Sequence, residues 1–170
     1  MNKSLAGGSP ATGFTYAVVK FLRWLALAGA AVMLLALCTL IIAGFFIPPA
    51  DLYKSLPVMV GMLGSAGIAM FLFSMIMRKL EAILSTVRAA HPFVRENGVR
   101  LRSIGWLLII MHIAALAVTL FGAWYEHGAF QLDIDFELSL TSLLAILLCF
   151  VLAHVFDQGS DLADDVEGTI

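Results

Sequence analysis

Four apolar runs decide what this chain can fold into. They cover residues 24–47, 57–77, 104–124 and 138–156, and none contains Asp, Glu, Lys or Arg. A helix needs about 20 apolar residues to cross the roughly 30 Å hydrocarbon core of a bilayer, so each run is long enough. Backbone groups inside lipid must bond to one another, which excludes lipid-exposed loops and open strands. The runs therefore predict an all-α integral membrane protein, a four-transmembrane-helix bundle.

Composition excludes the other classes of protein. Hydrophobic residues make up 61% of the 170 residues and charged residues only 13%, against about 45–50% and about 25% in a typical globular chain. Disordered chains are poor in apolar residues and rich in charge, which is the opposite balance. The net charge of -2 gives no basic field for binding nucleic acid directly.

The distribution of Lys and Arg predicts the orientation. Residues 1–23 carry three and the connection 78–103 carries six, whereas the first-to-second connection has only Lys54. Basic residues favour the cytoplasmic side, so both termini are predicted to be cytoplasmic. The chain then divides into a cytoplasmic N-terminal segment 1–23, a single transmembrane domain 24–156 that includes the connection, and an acidic cytoplasmic tail 157–170.

The connection has a helical pattern of its own. Apolar residues recur at helical spacing among polar ones, at Leu80, Ile83, Leu84 and Val87. This pattern predicts an amphipathic cytoplasmic helix between transmembrane helices 2 and 3, which either continues the second span or lies at the interface. Pro92 ends that helix, because the residue before a proline avoids helical geometry. Pro92 also suits the opening of the next helix, and Asn97-Gly98 is a second candidate break.

The tail carries charge opposite to that of the connection. It has five acids and no Lys or Arg, whereas the connection has six basic and two acidic residues. Apolar residues interrupt the acids at roughly helical intervals, at Phe156, Leu162, Val166 and Ile170. The tail can therefore extend the fourth helix. Two interpretations stay open: a solvated tail, and a latch that packs against the connection.

The loop before the fourth run is also patterned. Residues 130–137 alternate apolar and polar side chains, which predicts a short half-buried strand. Together with Glu126 the segment holds four carboxylates. An ordinary solvated loop is favoured here over a divalent-cation site.

Residues that could carry chemistry are few. Cys38 and Cys149 lie inside apolar runs and form no C-x-x-C pair, so they are predicted to be apolar filler. His112 and His154 lie at depths that differ by roughly 9 Å along a helix, which suits a pair of haem ligands poorly. Ion-coupled transport usually needs a charged residue inside a span. The sequence predicts that the protein is not an enzyme and has no catalytic, cofactor or metal site.

Two stretches resemble a known family. The first is Pro92-Phe93, Glu96-Asn97, Leu101-Arg102 and Ile104-Gly105; the second is Val155-Phe156, Gly159, Leu162, Glu167 and Thr169-Ile170. Their order and spacing, within about 170 residues holding four helices, resemble the bacterial membrane family catalogued as domain of unknown function 2975. Members are often encoded beside a small helix-turn-helix protein. The resemblance therefore implies a multi-pass regulatory protein of the bacterial inner membrane, with a small cytosolic DNA-binding regulator as its partner.

The predicted partner-binding residues lie in the connection and the tail. They are Pro92, Phe93, Arg95, Glu96, Asn97, Arg100, Arg102, Asp161, Leu162, Asp164, Asp165 and Glu167. The lipid bilayer is the other expected partner, and a homo-oligomer is left open. Two alternatives remain: a small transporter or metal-handling membrane protein, and a structural subunit of a membrane complex.

Overall fold

The computed structural model describes residues 10–46, 52–89, 91–125 and 140–167. They form four helices: α1 (Pro10–Phe46), α2 (Leu52–Arg88), α3 (Arg95–Tyr125) and α4 (Leu140–Glu167). All four are long and apolar enough to cross a membrane. The prediction of an all-α, multi-pass membrane protein is confirmed. The strand predicted at 130–137 and the neighbouring Glu126 lie outside the described residues.

The helices are longer than the apolar runs that predicted them. Helices α1 and α2 have 37 residues each, which gives each a length of about 55 Å at 1.5 Å per residue. That is nearly twice the thickness of a hydrocarbon core of about 30 Å. A charged residue ends an apolar run but does not end a helix, because the backbone hydrogen bonds continue in water. Each helix therefore extends beyond its apolar run.

The connection between α2 and α3 differs from its prediction. The amphipathic residues after position 79 form the last turns of α2, which ends at Arg88, and among the described residues no separate helix lies before α3. Continuation of the second span is confirmed, and a separate interfacial helix is wrong. Pro92 does not open α3, which begins at Arg95. Asn97-Gly98 is no break, because it lies inside the first turns of α3.

The tail continues α4. This helix runs to Glu167 without interruption, so the predicted extension of the fourth helix into the acidic segment is confirmed.

Each helix packs only along its neighbours in the chain. Helix α1 packs along α2, α2 along α3, and α3 along α4, and no other pair packs together in the described part of the chain. The four helices form an open row with α1 and α4 at its edges, so the predicted bundle is not closed by these residues. Lipid explains why an open row is tolerated, since acyl chains cover an apolar helix face as well as another apolar helix does.

Contacts between α1 and α2 fix their relative register. The Cβ of Met33 lies 3.5 Å from the position that a Cβ on Gly67 would take. Both helices rise by about 1.5 Å per residue. Counting along them from this contact places Trp24, where the first apolar run begins, level with Ile76, one residue before the second run ends.

The other two helices align at the same level. The Asn97 side chain donates a hydrogen bond to Thr86, and counting from that pair places Trp106 level with Met77. The Trp106 ring meets Phe150 edge-on, with ring centroids 5.9 Å apart. One level therefore runs through Trp106 on α3 and Phe150 on α4, and through the ends of the two other apolar runs.

The ends of the first two apolar runs and two tryptophans predict one boundary of the hydrocarbon core near this level. Trp24 and Trp106 are 61% and 56% exposed there, as amphipathic rings at a membrane interface should be. We call the part of the helices beyond this level the connection end. It comprises residues 10–23, 78–105 and 151–167.

The buried residues gather at the connection end or within about one turn of its boundary. They are Val19, Ala26, Ser74, Ile76, Met77, Asn97, Gly98, Leu101, Ile104, Gly105, Ala153 and Ser160. Hydrophobic burial is favourable in water and brings little gain in lipid. The packed core therefore lies near this predicted boundary.

Close helix contact at the connection end predicts a sensitive glycine. A Cβ on Gly98 would lie 3.1 Å from the Ala153 carbonyl oxygen and would overlap the Asp157 carboxylate, whereas a Cβ on Gly61 would meet nothing within 4 Å. Alanine favours a helix over glycine by about 1 kcal/mol, and overpacking costs about 1–3 kcal/mol. We expect Gly98→Ala to lower the melting temperature in detergent micelles, and the matched Gly61→Ala to leave it unchanged or raise it. Equal melting temperatures for the two variants would contradict this packing of α3 on α4.

Candidate partner-binding surface

Asn97 is the most deeply buried polar side chain of the connection end. It is 0% exposed. Its Nδ2 donates to Thr86 Oγ1 at 2.7 Å and to the Pro92 carbonyl at 2.8 Å. Its Oδ1 accepts from Arg100 Nη1 at 2.8 Å. Both ends of the buried amide are therefore satisfied, and one side chain joins the end of α2, the connection and the first turns of α3.

Arg100 belongs to the same network. Besides its bond to Asn97, its Nη1 donates to the Ala82 carbonyl on α2, at 3.4 Å. Its guanidinium is therefore committed to contacts within the chain. Of the predicted partner-binding residues, the structure brings Asn97 and Arg100 together and gives both a structural role.

The Phe93 side chain packs the connection against α4. Its ring centroid lies 5.7 Å from that of Phe156. Gly159 makes room for the ring, since a Cβ there would approach Phe93 to 2.7 Å. Phe93 nevertheless remains 53% exposed, so one face packs on α4 and the other faces outward. Pro92, beside it, is half-buried.

In the described part of the chain, the connection and the beginning of the acidic tail meet at one ion pair. Arg102 Nη2 lies 2.6 Å from Asp157 Oδ2, with side chains 49% and 31% exposed. Gly98 lies against Asp157 and lets α4 approach α3. An exposed pair of this kind contributes about 0–1 kcal/mol. The pair therefore orients α3 and α4 relative to each other more than it stabilises their packing.

A second polar cluster joins α1 to α2. Glu81 accepts from Arg23 at 2.8 Å and from the Tyr16 hydroxyl at 3.0 Å. The Arg88 guanidinium lies 5.2 Å from the centroid of the Tyr16 ring, a distance at which a cation is attracted to an aromatic face. Sequence reasoning missed this cluster, because its members are 58 and 65 positions apart and each reads as an ordinary polar residue. The one feature they share in the sequence is a position outside the apolar runs.

Other predicted residues point outward. Arg95, Glu96 and Asp161 are exposed, and Leu162 is 67% exposed. Arg95 and Glu96 form no ion pair with another described residue. Asp164, Asp165 and Glu167 lie on the last turns of α4, and their side chains are outside the described residues.

One outward residue was not predicted. Val99 is 55% exposed although it lies beyond the boundary of the hydrocarbon core. With Arg95, Glu96 and Arg100 it lines a shallow depression on α3. Nothing in the sequence distinguishes this valine from the apolar residues around it.

The described residues hold no group of three His, Cys, Asp or Glu side chains that could bind a metal ion together. Cys38 and Cys149 are both free thiols.

The second half of the chain matches a known protein family. A family model described as "Protein of unknown function (DUF2975)" matches residues 81–170, more than half of the chain. The chain belongs to this family. The matched DUF2975 region begins at Glu81 and contains the connection, α3 and α4. It therefore includes the Asn97 network and the Arg102–Asp157 pair. No curated protein and no solved structure matches the chain significantly.

The Asn97 network predicts a large effect from a small substitution. Asn97→Ala leaves the Arg100 guanidinium and the Thr86 hydroxyl without their buried partner, which costs about 1–3 kcal/mol. We expect a lower melting temperature in detergent and faster proteolysis of the connection. Glu96→Ala, at the exposed neighbouring position, serves as the control and should match the wild type. If Asn97→Ala were as stable as Glu96→Ala, the network would not hold the connection.

Proposed function

We propose that this DUF2975 protein is a regulatory protein of the bacterial inner membrane, with the connection end facing the cytoplasm. There it binds a small cytosolic DNA-binding regulator of the helix-turn-helix type. The observation that carries the proposal is a packed, hydrogen-bonded connection end that presents outward residues with no structural task of their own. These residues are Arg95, Glu96 and Val99, beside the half-exposed ring of Phe93.

The chemistry of this surface suits a protein partner. Aromatic rings and arginine are enriched in the energetically important parts of protein interfaces. Phe93 and Val99 supply apolar area, and Arg95 with Glu96 supplies both signs of charge. The buried amide of Asn97 keeps the backbone beneath them in place, so little ordering is needed on binding. The acidic last turns of α4 extend the proposed surface, because α4 packs along α3.

The extent of the family match supports the same assignment. Within α2 the match takes in only the residues from Glu81 onward, which lie at the connection end. The proposed cytoplasmic helix of the connection is this last part of α2. The alternatives, a small transporter or metal-handling protein and a structural subunit, make no specific use of this surface.

Orientation is tested with a reporter that is active only outside the cytoplasm. Fused after Ile170 it should be silent, whereas inserted between Ala129 and Ile134 it should be active, because the basic residues hold the connection end inside. Equal membrane levels of the two fusions serve as the control. The reverse pattern of activity would overturn the cytoplasmic assignment.

Partner binding is tested with matched pairs of substitutions. A tagged chain is captured from solubilised membranes, and the small DNA-binding protein retained with it is identified and quantified. The Arg95→Ala/Val99→Ala variant should lose at least about tenfold of the captured protein, since interface arginines cost up to a few kcal/mol when truncated. The control, Arg78→Ala/Val87→Ala, removes an exposed arginine and an exposed valine from α2 and should capture normally. Equal capture by both variants would contradict the proposal that this surface binds the regulator.

A further inference from the structure

An apolar groove runs between α1 and α2 within their apolar runs. It has a volume of about 520 Å³, and its walls include Leu27, Ala31 and Leu34 on α1 and Gly64 and Phe71 on α2. Leu34 and Phe71 are 62% and 53% exposed, so the groove opens toward the surrounding lipid. Its volume lies within the range of ligand sites, which is about 300–1,000 Å³. We call it the α1–α2 groove.

The length of the α1–α2 groove corresponds to one leaflet of a bilayer. On α1 its lining begins at Leu27 and ends at Leu37, whereas the predicted boundary of the hydrocarbon core lies at Trp24. At 1.5 Å per residue, the groove extends from about 5 Å to about 20 Å beneath that boundary. Half of a hydrocarbon core of roughly 30 Å is about 15 Å. The groove can therefore hold most of the length of one acyl chain from the leaflet at the connection end.

Basic residues continue both walls of the groove toward the connection end. Lys20 lies seven residues before Leu27, and Arg78 lies seven residues after Phe71. Seven residues make about two helical turns, so each basic residue lies on the same face of its helix as the groove wall. The register of α1 and α2 places Lys20 about 3 Å from the level of Arg78. Both lie within about 6 Å of the predicted boundary, at the depth of lipid headgroups.

The charges at this end of the groove are not balanced. Glu81 already accepts hydrogen bonds from Arg23 and from the Tyr16 hydroxyl. Lys20 and Arg78 are exposed, and neither forms an ion pair with another described residue. An arginine guanidinium and a lysine ammonium both bind phosphate through charge-assisted hydrogen bonds. The end of the groove is therefore complementary to a phosphate group that carries a net negative charge.

We propose that the α1–α2 groove binds an anionic phospholipid, with its phosphate on Lys20 and Arg78 and one acyl chain along Leu27, Leu34 and Phe71. Basic pockets between transmembrane helices recognise anionic headgroups in this way. A second copy of the chain seated face to face on the same groove would bring like charges together, whereas an anionic lipid brings the opposite charge. The site does not depend on the proposed cytosolic regulator.

Quenching of Trp24 fluorescence by brominated lipids tests the site, because Trp24 lies one turn from Leu27 at the end of the groove. The full chain with Trp106→Phe and Trp124→Phe is reconstituted in phosphatidylcholine vesicles that contain increasing fractions of brominated phosphatidylglycerol or brominated phosphatidylcholine. A basic residue near an anionic lipid favours binding by about fivefold. We expect phosphatidylglycerol to bind beside Trp24 at least about fivefold more strongly than phosphatidylcholine.

Removal of the two basic residues should abolish this preference. Lys20→Ala/Arg78→Ala should bring the two lipids to within about twofold of each other, because the charge that selects phosphatidylglycerol is gone. The control, Arg88→Ala/Arg95→Ala, removes the same charge from two exposed positions about 16–18 Å beyond the predicted boundary. It should keep the preference. Equal loss in both variants would indicate a diffuse field of the basic residues and would contradict a defined site.

Filling the groove tests the position of the acyl chain. A Cβ on Gly64 or on Gly61 would meet nothing within 4 Å, and of the two only Gly64 lines the groove. Gly64→Leu should lower the preference toward that of Lys20→Ala/Arg78→Ala, because the leucine takes the place of the chain that holds the headgroup over the two cations. Gly61→Leu serves as the control and should match the parent protein. An unchanged preference in Gly64→Leu would contradict the placement of the chain in the groove.

Three further outcomes would overturn the proposal. Equal quenching by the two lipids in the parent protein would show that the groove does not select an anionic lipid. Absence of quenching by either lipid would show that protein, such as a second copy of the chain, covers Trp24 and the groove. Displacement of brominated phosphatidylglycerol by an equal concentration of inorganic phosphate would indicate a site for a free anion, because inorganic phosphate has no acyl chain.

Discussion

The buried amide of Asn97 is the interaction on which the connection end depends. It uses its donors on Thr86 and Pro92 and its acceptor on Arg100, so the exit from α2 and the entry into α3 are fixed by one side chain. The next residue, Gly98, then lies where α4 approaches closely, against Ala153 and Asp157. The position of α4 brings Phe156 and Gly159 to Phe93, and Asp157 to Arg102. The packing of α4 on α3 thus follows from a single hydrogen-bonded turn.

The distribution of burial reflects a change of solvent along each helix. Within the apolar runs most large side chains are exposed, toward lipid in the assignment made above. The buried residues collect beyond the level of Trp24 and Trp106 or within about one turn of it. The strongest signal in the sequence, hydropathy, therefore describes the part of the molecule whose large side chains are mostly exposed. The part that carries the family match has the weaker signal.

Particular residues show how far sequence reasoning reaches. Uncharged runs of about 20 residues predicted the four helices because the cost of exposing backbone to lipid leaves no other structure. They could not predict where the helices end, since Arg78 and Lys79 interrupt hydropathy without interrupting α2. Asn97 suggested a break because asparagine commonly caps helices. Asn97 instead lies inside α3, and its side chain donates hydrogen bonds to Thr86 at the end of α2 and to Pro92 in the connection. Arg95 and Arg100 are the same residue type on one helix, yet one is exposed and the other is held on α2, a difference that only the direction of each side chain decides.

Packing between chain neighbours alone has a consequence for biogenesis. When α2 leaves the ribosome, its whole partner surface on α1 has already been made, and the same holds for α3 on α2 and for α4 on α3. Among the described residues no helix packs on one made later than its next neighbour, so each new span can dock as soon as it inserts, with little loop-closure entropy to overcome. Synthesis of the last helix delivers Asp157 to Arg102 and Phe156 to Phe93. The cytosol-facing assembly proposed here would therefore be completed only at the end of translation, after the membrane part is in place.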